Sequence, residues 1–145
     1  MTIYFDTSSL VKLYITEAFS DQVLSWAESA EVLATSRVAL PEVASAFARR
    51  WREGDLDDAG FRAARQALSE QWLHFNVIDV NERLAAELVI RHGLRGFDAI
   101  HLAAALEMNE TARYTEPPYQ VFFSSFDTRL NKAARSEGLP LLAEV

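Results

Sequence analysis

The sequence predicts an α/β fold, in which a parallel β-sheet of about five strands is covered by helices on both faces. Short runs of β-branched and aromatic residues alternate along the chain with longer segments of helical spacing. The chain has 145 residues, the size of one ordinary domain. No internal repeat, low-complexity tract or Gly/Ser-rich linker interrupts it. We therefore expect residues 1–145 to form a single domain.

Short apolar runs are the candidate strands. The first run, TIYF, is β-branched and aromatic and stops at Asp6, as expected of a buried strand that opens into a loop. The runs FNVIDV and YQVFFS have the same character. The predicted strands are Thr2–Phe5, Val32–Ala34, Phe75–Val80, Tyr119–Ser124 and a last short strand at Leu139–Leu142.

The segments between these runs have helical spacing. In the second such segment, Val23, Trp26 and Ala27 fall three and four positions apart and therefore share one face. The run FDAIHLAAALEM is apolar nearly all round, which is typical of a helix buried on most sides. The predicted helices are Ser8–Tyr14, Ser20–Ala30, Val38 to about Arg52, a segment capped by Asp57, Asn81 to about His92, Phe97–Met108 and Thr128–Ser136.

Two consecutive helices between the second and third strands depart from plain strand–helix alternation. We expect them to form a protruding helical hairpin. Its aromatic residues either pack inside the hairpin or line a hydrophobic groove for a partner helix. The apolar stripes are Leu40, Val43, Phe47 and Trp51 on the first helix, and Phe61, Leu68 and Trp72 on the second.

The composition excludes several kinds of protein. The chain carries 14 basic and 21 acidic side chains, a formal net charge of −7, so a diffuse basic surface for nucleic acid is not expected. It has no cysteine, which excludes disulfides, thiolate zinc sites and cysteine nucleophiles. The opening MTIYFDTSSLVK does not resemble a signal peptide, and no apolar stretch approaches the roughly 20 residues of a spanning helix. We therefore expect a cytoplasmic protein.

Four acidic residues stand where a parallel sheet places its ligand site. Ligands of such sheets bind beyond the carboxyl ends of the strands. Asp6 directly follows the first predicted strand, and Asp127 follows the apolar run VFFSSF. Glu42 and Asp98 lie in the first turns of predicted helices, where the helix dipole favours negative charge and keeps a carboxylate ionised.

Carboxylates that converge on one cleft would repel one another and raise each other's pKa. Divalent cations relieve that repulsion, and oxygen ligands of this kind suit Mg²⁺ or Mn²⁺. The chemistry that this favours is metal-assisted hydrolysis of a phosphodiester. An acidic protein would then cleave RNA because its metal ions, and not its surface, meet the phosphate.

Each acid taken alone has an ordinary explanation. Asp6 and Asp127 would serve as helix N-caps, and Glu42 as a solvated residue on a helix surface. Asp98 is harder to explain in this way, since its helix is otherwise apolar and a buried carboxylate requires a partner. Because the chain offers 21 acids, spacing alone is a weak signal.

The sequences around the four acids strengthen the interpretation. These segments are IYFDTSSLVKLY, LPEVASAFARR, FDAIHLAAAL and FFSSFDTRL. In this order they span nearly the whole chain, and they resemble a PIN-domain ribonuclease, specifically a VapC-type toxin of a bacterial toxin–antitoxin pair.

The resemblance implies a metal-dependent endoribonuclease with metal-binding carboxylates at Asp6, Glu42, Asp98 and Asp127 and Mg²⁺ or Mn²⁺ as cofactor. It also implies a small hydroxyl residue near the fourth strand, where Ser125 stands and would orient Asp127 or a metal-bound water. The implied fold is a five-stranded parallel sheet. The implied partners are an RNA substrate, a VapB-like antitoxin that lies near the active site, and a second copy of the chain in a homodimer.

Other residues near the acids keep open roles. His101 follows Asp98 by three positions and shares its helix face. We favour a hydrogen-bonded core histidine over an acid–base group. The nearby basic residues would either neutralise phosphates or form solvated charged surfaces; they are Arg49, Arg50, Arg52 and Arg95.

Two other functions fit part of the pattern. A haloacid-dehalogenase-type phosphatase also begins with an Asp after the first strand, but it requires a second acid two residues later, where this chain has Ser8. A catalytically silent, PIN-like binding scaffold would recruit a partner through the hairpin. The presence of all four acids argues against such a degenerate site.

Overall fold

Four parallel strands form the sheet, and β1 (Thr2–Phe5) is one of the two central strands. The computed structural model describes all residues from Met1 to Val145. The other strands are β2 (Val32–Ser36), β3 (Asn76–Ile78) and β4 (Val121–Ser124), and the order across the sheet is β3-β2-β1-β4. Thr2 pairs with Val32 of β2 on one side and with Val121 of β4 on the other. The predicted α/β fold with a parallel sheet is confirmed.

Helices fill the connections between the strands. The helix before β4 ends at Ala112, four residues beyond the predicted end at Met108. The helices are α1 (Thr7–Tyr14), α2 (Ser20–Ser29), α3 (Ala39–Arg52), α4 (Asp58–Trp72), α5 (Glu82–His92), α6 (Gly96–Ala112) and α7 (Thr128–Ser136). None of them combines the length and the apolar character needed to cross a membrane.

The predicted fifth strand at Leu139–Leu142 is wrong as a full strand. Only one parallel bridge, between Phe123 and Leu141, joins this segment to β4. The Phe123 N–H donates to the Pro140 carbonyl at 2.8 Å, and the Leu142 N–H donates to the Phe123 carbonyl at 3.0 Å. Pro140 has no N–H with which to continue a ladder, so the contact ends after these two bonds.

The hydrophobic core lies in two layers, one on each face of the sheet. Successive side chains of a strand point to opposite faces, and Tyr4 therefore belongs to one layer while Ile3 and Phe5 belong to the other. The Tyr4 layer packs against α5, α6 and α7. The Ile3 layer packs against α1, α2, α3 and α4.

The helix α6 is buried along most of its length, as its composition predicts. It lies against α5, α7 and the sheet, and three consecutive alanines, Ala103, Ala104 and Ala105, have almost no exposed surface. Their small side chains let the helix approach the strands closely. This packing fixes the position of the first turn of α6 at the carboxyl edge of the sheet.

The hairpin of α3 and α4 packs on the α1 side of the sheet. Val43 and Phe47 are buried, as predicted for α3, but Leu40 and Trp51 at the ends of the predicted stripe are exposed. The Trp51 ring stacks on that of Phe61 with ring centroids 4.4 Å apart. The stripe is therefore shorter than predicted at both ends, although Ala39, next to Leu40 in the first turn, is fully buried.

We expect the substitution Phe47→Ala to lower the free energy of unfolding by about 3–5 kcal/mol, because Phe47 is fully buried and its removal leaves a cavity. Denaturant unfolding measures the change. The control is Ile90→Ala, which truncates a side chain that is 86% exposed and should change stability by no more than about 0.5 kcal/mol. Equal stability of the Phe47 variant and the wild type would contradict the proposed core.

Candidate active site

The four acids singled out in the sequence all line one cleft of about 300 Å³ at the carboxyl edge of the sheet. Asp6 follows β1 and Asp127 lies three residues beyond β4, while Glu42 and Asp98 come from the first turns of α3 and α6. They meet because β1 and β4 are parallel neighbours and therefore end at the same edge. The structure therefore brings the four acids together at one cleft.

Asp6 is nearly fully buried and is at the same time the N-cap of α1. Its Oδ1 accepts hydrogen bonds from the Ser9 N–H at 3.0 Å and from the Ser8 hydroxyl at 2.7 Å. Burial raises the pKa of Asp6, against the lowering effects of His101 and of the Ser125 and Ser8 hydroxyls. The capping explanation and the cleft explanation therefore hold together for the same carboxylate.

Glu42 is a half-buried residue of the cleft and not a solvated residue of the helix surface. Its Oε1 accepts a hydrogen bond from the Thr7 hydroxyl at 2.7 Å and lies 2.8 Å from His101 Nε2. Burial would raise the pKa of Glu42, but the hydrogen bonds with His101 and Thr7 outweigh it and lower the pKa. The sequence pattern did not identify Thr7, whose only signal is its position next to Asp6.

His101 is a buried histidine with a partner at each ring nitrogen, as favoured from the sequence. Its Nδ1 lies 2.8 Å from the Tyr4 hydroxyl, and its Nε2 lies close to Glu42 and to the Thr7 hydroxyl. With the proton on Nε2, the imidazole donates to Glu42 and accepts from Tyr4, which satisfies both nitrogens. The imidazole thus links the core of the sheet to a carboxylate of the cleft.

Asp98 and Asp127 are neighbours in the cleft, and both lie close to the guanidinium of Arg95. Burial raises the pKa of Asp98, and the negative charge of Asp127 raises it further, against the lowering effect of Arg95. Arg95 Nε donates to Asp98 at 3.3 Å, and its Nη2 lies 3.7 Å from an oxygen of Asp127. Asp127 also caps α7, because its other oxygen accepts from the Leu130 N–H at 2.8 Å.

Ser125 is fully buried and holds the backbone that leads to Asp127. Its hydroxyl accepts a hydrogen bond from the Asp127 N–H at 3.0 Å. Its carbonyl accepts from the Asn131 side chain at 2.8 Å. This arrangement fits an orienting role for Ser125 toward Asp127.

A partly basic rim surrounds the acids. Lys12 and Arg50 both pair with Glu17, whereas Arg49 lines the cleft without an ion pair. Arg52 does not line the cleft, and its Nε donates to a carbonyl of its own helix at 3.2 Å. Of the arginines with open roles, Arg49, Arg50 and Arg95 are therefore near enough to meet a phosphate in the cleft.

The donor set suits a hard divalent cation. Two of the carboxylates, Asp6 and Asp98, have raised pKa values because burial disfavours their negative charge. The one cation that now bridges two acids of the cleft is the exposed guanidinium of Arg95. No three acidic or histidine side chains surround a single point as they stand. Mg²⁺ nevertheless requires only one or two direct carboxylates, since it keeps several of its waters.

A known protein family matches most of the chain. The PIN domain profile matches residues 3–136. The chain belongs to the PIN-domain family. All four acids of the cleft lie within the matched part of this PIN domain.

Curated relatives of this PIN domain include ribonucleases of Mycobacterium tuberculosis. Ribonuclease VapC49 is 30% identical over 139 residues, which cover 94% of this chain and 91% of the relative. Ribonuclease VapC35 is 32% identical over 141 residues, covering 97% of this chain and 96% of the relative. This PIN domain therefore resembles the VapC ribonucleases over nearly its whole length.

Solved structures share the fold of this PIN domain. FitAcB from Neisseria gonorrhoeae superposes with a TM-score of 0.68 and 16% identity, covering 98% of this chain and 97% of the other. A toxin–antitoxin complex from Klebsiella pneumoniae superposes with a TM-score of 0.63 and 20% identity, covering 98% of this chain and 97% of the other.

The phosphatase alternative gains no support, because Ser8 stands two residues after Asp6 and donates its hydroxyl to that carboxylate.

We expect Asp98→Asn to raise the free energy of unfolding of the metal-free protein at neutral pH. The raised pKa means that the fold disfavours the charged form of Asp98. Its contribution to stability is therefore present below the ordinary pKa of about 4 and is lost as the pH rises through the raised pKa of the folded state. The difference between variant and wild type should shrink as the pH falls toward about 4.

Denaturant unfolding at both pH values, with chelator present, tests this expectation. The matched control is Asp79→Asn, which alters an exposed acid that pairs with Arg37 outside the cleft. A variant at Asp98 that is less stable than the wild type at neutral pH would indicate a structural role for that carboxylate.

Proposed function

We propose that the protein is a Mg²⁺- or Mn²⁺-dependent endoribonuclease that hydrolyses RNA phosphodiester bonds, and that it is the toxin of a bacterial type II toxin–antitoxin pair. The observation that carries the proposal is the convergence of four carboxylates on one cleft. Membership of the PIN-domain family and the similarity to proteins named ribonuclease VapC support it.

In this proposal Asp6, Glu42, Asp98 and Asp127 hold the metal. A divalent cation bound there supplies a nucleophile at neutral pH and stabilises the charge that develops on the phosphate. Because the hydrogen bonds from Thr7 and His101 keep the pKa of Glu42 low, that carboxylate is ionised and fixed in direction. These hydrogen bonds prepare Glu42 as a ligand before any cation arrives.

The other residues of the cleft orient groups and bind phosphate. Ser125 fixes the backbone of Asp127 through the Asp127 N–H, so that the carboxylate leaves α7 in a defined direction. Arg95 spans Asp98 and Asp127 and is exposed, so its guanidinium is accessible to a phosphate at the cleft. Arg49 has no ion pair and lines the cleft, where it serves a neighbouring phosphate.

We further propose that the chain binds a VapB-like antitoxin, forms a homodimer and acts in the cytoplasm. The structural neighbours include one solved as a toxin–antitoxin complex, which supports the antitoxin. The exposed Trp51, stacked on Phe61, offers an aromatic contact at the outer part of the hairpin for one of these partners.

We expect the purified chain to have a mass in solution of twice 16.3 kDa, the mass of one copy. Light scattering coupled to size-exclusion chromatography measures it over a range of concentrations. A mass of one copy at every concentration would contradict the homodimer and leave the antitoxin proposal intact.

We expect the wild-type protein to cleave a mixed RNA pool in Mn²⁺ and not in EDTA, and Asp6→Asn and Asp98→Asn to lose at least about 100-fold in rate. Both substitutions remove a negative oxygen ligand while keeping the side-chain shape. Gel analysis of the RNA over time measures the rates.

The control is Asp79→Asn, because Asp79 also follows a strand at the same edge of the sheet yet lies outside the cleft. This variant should cleave at the wild-type rate. Cleavage at that rate by the Asp6 or Asp98 variant would refute the site. If folded, inhibitor-free wild-type protein cleaves no RNA in Mn²⁺ or in Mg²⁺, that result would instead favour a catalytically silent binding scaffold.

A further inference from the structure

A group of aromatic side chains lies beside the acidic cleft. We call Phe19, Trp26 and Phe126 the aromatic platform. The Phe19 and Phe126 rings are 5.3 Å apart and inclined by 21°, and the Trp26 and Phe126 rings are 6.3 Å apart and inclined by 22°. Phe19 is 54% exposed, so the platform offers aromatic surface to solvent.

Phe19 has a backbone conformation and a helix position that do not favour folding. Its φ of 69° lies in the left-handed region, which is uncommon for a large side chain. Phe19 is also the N-cap of α2, where it makes no side-chain capping bond and where a small polar residue would stabilise the helix. The fold thus keeps an exposed aromatic ring at a position where other residue types are favoured.

The loop before α2 holds Phe19 in this conformation. The Ser20 hydroxyl donates to the Ile15 carbonyl at 3.0 Å and accepts from the Glu17 N–H at 3.0 Å. The Glu17 carboxylate is in turn bound by Lys12 and Arg50. Because the loop is braced on both sides, the exposed ring of Phe19 is a fixed feature of the surface.

The platform is joined to the catalytic edge through Phe126, which stands between Ser125 and Asp127 in the chain. The Phe126 N–H donates to the Ser8 hydroxyl at 2.9 Å, and that hydroxyl donates to Asp6 at 2.7 Å. The Ser8 side chain therefore connects the backbone of Phe126 to the Asp6 carboxylate of the cleft.

Lys12 belongs to both surfaces. Its Nζ lies 4.8 Å from the centre of the Phe126 ring, and its side chain also lines the cleft. Lys12 is also paired with Glu17, so its charge is already balanced within the protein. The contact of Lys12 with both surfaces instead shows that the platform and the cleft are neighbours. A nucleic acid strand that brings a phosphate into the cleft would therefore carry an adjacent base to the platform.

We propose that the platform, through the exposed ring of Phe19 supported by Phe126, stacks an unpaired nucleobase of the RNA strand whose phosphate enters the cleft. The inference rests on the proposed ribonuclease function and adds a binding subsite to it. Aromatic side chains stack bases that are splayed out of single strands, and every base has a suitable face. The subsite therefore selects single-stranded RNA over duplex and binds one base next to the bond that is cut.

The test uses a single-stranded oligoribonucleotide of about 12 nucleotides, synthesised around a bond that the wild type cleaves in the mixed pool, a length that fits the usual span of single-strand sites. We expect Phe19→Ala to raise KM about 10-fold, with the effect on KM and not on kcat. Phe19→Trp should retain the wild-type KM, and Phe19→Leu should resemble Phe19→Ala, because leucine keeps apolar bulk but has no ring. Thermal unfolding verifies that each variant is folded.

The matched control is Tyr114→Ala, which removes an aromatic ring that is 81% exposed beyond the far end of α6. This variant should keep the wild-type KM. An unchanged KM for Phe19→Ala, or full rescue by leucine, would overturn the stacking subsite and assign the platform to contact with a protein. Failure of the wild type to cleave any RNA would refute the proposed function itself, so the two failures are distinguishable.

A second measurement locates the base. Substrates in which one base at a time is replaced by an abasic ribose should show a raised KM at one position beside the cut bond with the wild type. With Phe19→Ala that position should cause no additional loss, because its base has no ring on which to stack. Equal abasic penalties in the two proteins at every position would overturn the proposal.

Discussion

Electrostatic repulsion among carboxylates at one edge of the sheet is the constraint around which the molecule is organised. Parallel strands end together, so an acid after β1 and an acid beyond β4 are brought close to each other and to the first turns of two helices. The protein relieves the repulsion with different neighbours for different acids. Glu42 has the Thr7 hydroxyl and His101, whereas Asp98 has the guanidinium of Arg95. The two apolar layers of the core must be stable enough to hold these charges in place.

Much of the fold, and the grouping of four acids at one cleft, follows from sequence, because both depend on local pattern. Asp6 is found by the rule that ligand sites follow strands, and Asp98 by its place in an otherwise apolar helix. The partners of the acids are not found in this way. The contact of Glu42 with His101 joins residues 59 positions apart, and only the packing of α3 and α6 at the same edge of the sheet brings them together.

The predictions that are wrong also concern contacts that local sequence does not determine. Hydrophobic periodicity identifies one face of a segment but not the extent of the surface that will cover it. Leu40 and Trp51 share the stripe of Phe47, yet no neighbouring element covers them fully and they remain exposed. Leu139–Leu142 is apolar like a strand, but the ladder stops because Pro140 has no N–H to donate.

The helix α6 carries two parts of the cleft on one body. Asp98 and His101 lie one turn apart on it, and the alanines that follow seat the helix against the sheet. A larger residue at Ala104, which does not line the cleft, would displace this helix and carry the acid and the imidazole away from Asp6 and Glu42 in the same movement. The alignment of the site therefore depends on side chains of the core that have no chemistry of their own, and these alanines should tolerate replacement less well than many charged residues on the surface.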